Sequence, residues 1–93
     1  FPAVHRDIAL VVNEEVKAEQ LMKAIKAAGK RMVKQVEVFD VYQGEHVESG
    51  KKSVALSINY QSEDHTLTDQ EIQDVHQTVL ARLEKDCQAV LRG

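Results

Sequence analysis

The sequence predicts an α+β domain of element order β-α-β-β-α-β, in which a four-stranded antiparallel sheet carries two helices on one face. Three observations lead there. Two segments, Arg6–Asn13 and Lys52–Gln61, alternate apolar and polar residues, the period of half-buried strands. Two others, Val16–Lys30 and the stretch after Thr68, repeat apolar residues at helical spacing. The period changes where Gly29, Gly44 and Gly50 stand, so these glycines read as punctuation.

The elements follow in order. In Arg6–Asn13, Ile8, Leu10 and Val12 face one way and Asp7, Ala9, Val11 and Asn13 the other. Val16–Lys30 is built from good helix formers, with Leu21, Ile25 and Ala28 on one face and Gly29 suited to the stop. Met32–Gln43 is strand-like but changes phase once, from Val36 and Val38 to Phe39 and Val41. A β-bulge near Val38–Phe39 reconciles the halves. It sends Phe39 and Val41 inward and leaves Asp40 and Tyr42 outward. Gln43–Lys51 is a polar hairpin tip. In Lys52–Gln61, Val54, Leu56, Ile58 and Tyr60 share one face and Ser53, Ala55, Ser57 and Asn59 the other. Ser62–Leu67 is loop. Thr68-Asp69-Gln70-Glu71 is a capping box, and Ile72, Val75, His76, Val79, Leu80, Leu83 and Cys87 form the helical stripe behind it. That helix should end near Asp86, before a short strand at Ala89-Val90-Leu91. This order is the split βαβ, ferredoxin-like plan, with sheet order 4-1-3-2.

Composition narrows function. At 93 residues the chain reads as one domain, residues 1–93, with the 43% apolar and 29% charged content of a globular protein. Its longest apolar run, Ile8–Val12, is far short of the ~18 residues of a membrane span. There is no secretory leader pattern and no initiator Met, so a piece of a longer chain is expected. Cys87 is the only cysteine, which points to a reducing compartment and, on its apolar stripe, to an inert buried thiol. His5, His46, His65 and His76 are dispersed, with no spacing for zinc, and no nucleophile elbow or phosphate loop occurs. Catalytic and metal residues are therefore expected to be none. A net charge of −3 argues against binding nucleic acid mainly by counterion release.

The face away from the helices is the candidate site. Its outward residues are Ala9 and Val11; Ser53, Ala55 and Ser57; and Asp40 and Tyr42. Small residues let a flat molecule approach, an outward tyrosine can stack on an unpaired base for ~1–3 kcal/mol, and Asp40 and Ser53 can hydrogen-bond to a base edge. Lys51 and Lys52, beside Ser53, are candidates for phosphate. An outward tyrosine is equally an ordinary strand former, and lone acids and serines are ordinary surface residues.

Phe1-Pro2-Ala3-Val4 with Arg6-Asp7-Ile8-Ala9, Phe39-Asp40-Val41-Tyr42 with Gly44, Gly50-Lys51-Lys52-Ser53, and Thr66-Leu67-Thr68-Asp69 with Glu71 occur in that order. Together they resemble the ferredoxin-fold anticodon-binding domain at the C-terminus of the bacterial phenylalanyl-tRNA synthetase beta subunit, over essentially the whole chain. The resemblance implies a non-catalytic piece of a cytoplasmic (αβ)2 enzyme that joins phenylalanine to tRNA-Phe with ATP and magnesium, its alpha subunit holding the catalytic site. It implies that Tyr42 stacks on the first anticodon base, that Asp40 and Ser53 help read it, and that Ala9 lies beside it through its backbone. His5, Gln43 and His65 stand where the family often carries arginine, which lowers the positive charge for phosphate. A regulatory module that pairs with its own copy, or a docking domain without RNA contact, remains the alternative.

Overall fold

The computed structural model describes residues 1–92. The chain forms strand β1 (Val4–Asn13), helix α1 (Ala18–Gly29), a single 3-10 turn (Lys30–Met32), strand β2 (Val33–Tyr42), strand β3 (Lys51–Tyr60), helix α2 (Asp69–Cys87) and strand β4 (Val90–Leu91). All four strands join one sheet in the order β2-β3-β1-β4, the predicted order read from the other edge. β3 pairs antiparallel with β1 along its whole length and with β2 on its other side.

The core lies between the sheet and the helices. Ile8, Leu10 and Val12 of β1 and Val54, Leu56, Ile58 and Tyr60 of β3 are buried in one cluster with Leu21 and Ile25 of α1 and Ile72, Val75, Val79 and Leu83 of α2. Each fully buried aliphatic side chain contributes about 1.5–3 kcal/mol. A one-residue slip of β3 would turn its four core residues to the opposite face, so the alternation fixes the register.

Both helix ends show how local chemistry sets length. At the start of α2 the Glu71 N–H donates to Thr68 Oγ1 at 3.1 Å and the Thr68 N–H donates to Glu71 Oε1 at 3.0 Å, the expected capping box. The bond from the Thr68 backbone, joined by His65 at 2.8 Å, holds the Glu71 carboxyl below its ordinary pKa. α2 ends on Gln88 in the left-handed conformation, with the Gln88 N–H reaching the Glu84 carbonyl at 3.0 Å. Gly29 acts differently from the sequence expectation. The positive φ after α1 falls on Lys30, at 52°, while a Cβ on Gly29 would lie 2.1 Å from Val33 Cγ2. Gly29 is there for space, where the chain folds back tightly onto β2.

The bulge is present: the pairing of β2 with β3 shifts between Val38 and Asp40. A second shift, between Val33 and Gln35, has no counterpart in the sequence reading. One expectation is corrected. Val41 pairs with Val54 and so lies on the helix side, yet Phe39 and Val41 are each 54% exposed rather than packed inward. β2 is an edge strand, and of its residues only Val33, Val36 and Val38 pack against the core. Its last turns of pleat run on past the helical cover.

One polar pair sits at the core margin. The fully buried Tyr60 hydroxyl meets His76 Nδ1 at 2.9 Å. Burial pushes the Tyr60 phenol up to about 12 and lowers the His76 pKa, so it favours the neutral form of both groups. Cys87 is buried, and its thiol pKa is raised chiefly by that burial.

Candidate functional site

Strand pairing arranges the face away from the core into transverse rows. Tyr42 of β2 pairs with Ser53 of β3, Ser53 with Val11 of β1, and Val11 with Val90 of β4, a line across all four strands. The next row is Asp40, Ala55 and Ala9; then come Glu37, Ser57 and Asp7; then Gln35, Asn59 and His5. The bulge makes this possible. If the same residues of β2 paired with β3 without this shift, Asp40 and Tyr42 would lie on the side opposite Gln35 and Glu37. Tyr42, Asp40, Ser53 and Ala9, singled out from the sequence, therefore share two adjacent rows of one face. Small side chains at Ala9 and Ala55 form the floor beside the tyrosine.

Tyr42 is 39% exposed, and its ring is held from two sides. Its hydroxyl donates to the Glu45 carbonyl at 2.9 Å, across the turn that follows β2. Gly44, at φ 139°, passes so close that a Cβ there would lie 3.2 Å from Tyr42 Oη. That φ lies in a region that side chains other than hydrogen rarely adopt. The turn thus needs glycine both for its backbone and for the room it leaves the phenol.

Arg92 completes the row and was given no role from the sequence. Its backbone N–H donates to the Ala9 carbonyl at 2.8 Å, which extends β4 beside β1. From there the guanidinium crosses the sheet: Nη1 donates to Ser53 Oγ at 3.0 Å and Cζ stands 5.8 Å from the centre of the Tyr42 ring. Ser53 is only 5% exposed although it lies on the face away from the helices, where Arg92 and Tyr42 stand beside it. A basic residue just past a short last strand was the available signal, but nothing local says how far it reaches.

The two lysines part company. Lys51 pairs with Asn13, lies on the face of Ser53, and donates from Nζ to Asn13 Oδ1 at 3.2 Å. Lys52 pairs with Val12 and faces the helix side. Of the two lysines, Lys51 shares the face on which Ser53 and Arg92 meet.

At the far end of the same face His5 lies within hydrogen-bond reach of Asn59 Oδ1 at 3.0 Å and Asp7 Oδ1 at 2.6 Å. The bonds to Asn59 and to Asp7 hold its pKa above the ordinary 6.5. Between its ends the face carries the small residues Ala9, Ala55 and Ser57, flanked by Asp7 on β1 and by Glu37 and Asp40 on β2. Among the described residues no three His, Cys, Asp or Glu side chains gather closely enough to hold a metal ion, and no helix is long and apolar enough to cross a membrane.

Comparison with known proteins adds an independent line. The profile described as "Ferredoxin-fold anticodon binding domain" matches residues 1–92. The chain is 55% identical over 93 residues to a phenylalanine–tRNA ligase beta subunit of Bacillus licheniformis, 55% to that of Geobacillus kaustophilus and 53% to that of Bacillus subtilis. Each match takes in 100% of this chain and 12% of the relative, so the chain spans about an eighth of the curated relatives it matches.

Proposed function

Because the chain belongs to the family of ferredoxin-fold anticodon-binding domains, we propose that its uncovered sheet face holds the anticodon loop of tRNA-Phe. In this reading Tyr42 is the platform on which one unpaired base stacks. Asp40, exposed in the next row, accepts from the donor edge of that base, and the Ser53 hydroxyl offers a donor or an acceptor once Arg92 releases it. Ala9 meets the base through its methyl group, since its carbonyl already receives the Arg92 N–H. Lys51 and Arg92 supply charge for the flanking phosphates, and Lys52 does not.

The observation that carries this reading is the Tyr42–Ser53–Val11 row with Arg92 laid over it. A guanidinium that rests on a partly exposed aromatic ring, and bonds a nearly buried hydroxyl beside it, occupies the volume a base and its edge contacts would take. A base that enters replaces one planar partner of the ring with another, and the freed cation stays within reach of the backbone it brings. Few cations line the face, so affinity rests on stacking and on the rest of the parent protein more than on charge.

The parent, on this reading, is a phenylalanine–tRNA ligase: this domain is part of its beta subunit, which assembles with an alpha subunit as (αβ)2 in the cytoplasm. ATP and magnesium serve the aminoacylation step elsewhere in that enzyme, and this domain positions the tRNA. The test is steady-state kinetics of the parent enzyme carrying Tyr42→Ala. The KM for tRNA-Phe should rise while phenylalanine-dependent ATP–pyrophosphate exchange stays unchanged; unaltered tRNA kinetics would refute the role of Tyr42.

A further inference from the structure

The uncovered face has a second flat ring at its opposite end, and its geometry is that of a platform. His5 pairs across β1 and β3 with Asn59, and Asp7 pairs with Ser57. The imidazole reaches three of these neighbours at once. Nδ1 lies 3.0 Å from Asn59 Oδ1 and Nε2 lies 2.6 Å from Asp7 Oδ1. The Ser57 hydroxyl lies 3.3 Å from Nδ1 and 3.1 Å from Nε2. An atom so nearly equidistant from both nitrogens cannot lie in the ring plane without overlapping the carbon between them. Ser57 Oγ therefore sits beneath the ring, which lies flat over the sheet with its other face turned to solvent. The side chain is 58% exposed.

Both ring nitrogens point at acceptors. The Asn59 amide is oriented by its own Nδ2, which donates to Gln35 Oε1 at 3.4 Å, so its oxygen is the atom turned to His5. A ring that donates from both nitrogens is an imidazolium. Its edges are occupied, and only the outer face is free. A flat, electron-poor ring whose polar edges are satisfied offers one kind of contact, stacking, and histidine is among the side chains on which unpaired bases stack.

We propose that His5 is a second stacking platform, for another unpaired base of the same RNA strand whose first base rests on Tyr42. This inference depends on the RNA-binding reading above. Ser53, in the row of Tyr42, and Asn59, in the row of His5, are six positions apart on β3. At ~3.3 Å per residue the two rings lie about 20 Å apart along the strands. Adjacent stacked bases rise only ~3.4 Å, so the two bases held are not neighbours, and the strand between them is stretched over Ala9, Ala55 and Ser57, with Asp7 on one side and Glu37 and Asp40 on the other. The groups facing His5 are Asp7 on its own strand and Ser57, Asn59, Gln35 and Glu37 on β3 and β2. Arg6 faces the other side, opposite Ile58.

The experiment is equilibrium binding, by fluorescence anisotropy, of the parent protein to a labelled RNA hairpin bearing the tRNA-Phe anticodon loop. The same hairpin is also measured with one loop base removed at each position in turn. His5→Ala should weaken the intact hairpin at least about fivefold and should abolish the sensitivity to base removal at one loop position. Tyr42→Ala should abolish it at a different position. His5→Phe, which keeps a flat face without the edge bonds, should bind within about twofold of wild type. If His5→Ala binds every hairpin as wild type does while Tyr42→Ala is weakened, the second platform is refuted and the first reading stands. If His5→Phe is as weak as His5→Ala, the ring acts through its hydrogen bonds and the stacking role is refuted. If wild type and Tyr42→Ala bind indistinguishably, both readings fall.

Discussion

Replacing Gly44 by alanine tests whether the turn after β2 holds the Tyr42 ring where the proposed site needs it. Two costs can be worked from the structure. The backbone at φ 139° is one that alanine adopts only under strain, of order 1–3 kcal/mol. The new Cβ would lie 3.2 Å from Tyr42 Oη, so the phenol must give way and its 2.9 Å bond to the Glu45 carbonyl weakens, a further ~0.5–1.5 kcal/mol. The turn is an exposed hairpin tip and can relax, so the expected loss of stability is about 1.5–3 kcal/mol, the lower part of that sum. Gly50 is the control. It has φ 84° in the same connection, yet a Cβ there meets nothing within 4 Å. Gly50→Ala should cost stability of the same order and leave the ring untouched. The two variants should separate when RNA is added. Gly44→Ala should lose a large part of the stacking contribution of ~1–3 kcal/mol, or up to about 5- to 150-fold in Kd, while Gly50→Ala should bind within about twofold of wild type. Thermal melts and anisotropy titrations with the anticodon hairpin give both quantities. Equal RNA affinity in the two variants would refute the claim that this turn positions the ring.

The remaining expectations concern other parts of the chain. Gly29→Ala, with a Cβ 2.1 Å from Val33 Cγ2, should destabilise by ~1–3 kcal/mol through overpacking, and adding Val33→Ala should recover part of the loss in a denaturant melt. Arg92→Gln should weaken RNA binding and lower the slope of log affinity against log salt by about one, because one cation is lost; an unchanged slope would remove Arg92 from the phosphate contacts. His5 has a raised folded pKa, so its contribution to stability is complete below 6.5 and is lost as pH rises through the raised value. His5→Gln should abolish that decline in thermal melts across pH. Glu71 has a lowered folded pKa, so its contribution is present above 4.5 and lost as pH falls through the lower value; Glu71→Gln should abolish this acid sensitivity in melts across pH.

What could be read in advance followed from period and from local chemistry. The alternation in β1 and β3 named both faces residue by residue, since a strand with one face buried has only one workable register. The Thr68–Glu71 box marked the start of α2 because its reciprocal bonds involve residues three apart. The phase change at Val38–Phe39 disclosed the bulge, and with it the side of the sheet on which Asp40 and Tyr42 stand. The parts that could not be read were long-range. Ser53 looked like an open surface serine, and its hydroxyl accepts from a guanidinium of a residue 39 positions later. Phe39 and Val41 looked like core because apolar residues in phase usually are, and only the edge position of β2 beyond the helical cover leaves them bare. Lys51 and Lys52 read as a pair in one dimension, but adjacent strand residues face opposite ways. The crowding at Gly29 required knowing where Val33 folds back. His5 looked like a dispersed histidine until Asn59, 54 positions away, closed the ring of partners around it.

The irregular pairing at Val38–Asp40 has an evolutionary corollary. A strand that can absorb a surplus residue without reversing the direction of everything downstream frees the length of its first half from the duty of its second. Deletion of Phe39 would leave Val38 and Asp40 on their present sides in an unbroken ladder, so one residue can be lost at this joint and the tyrosine still stand on the same side of the sheet. Insertions of one residue elsewhere in β2 have no such cushion, and there the count must be kept.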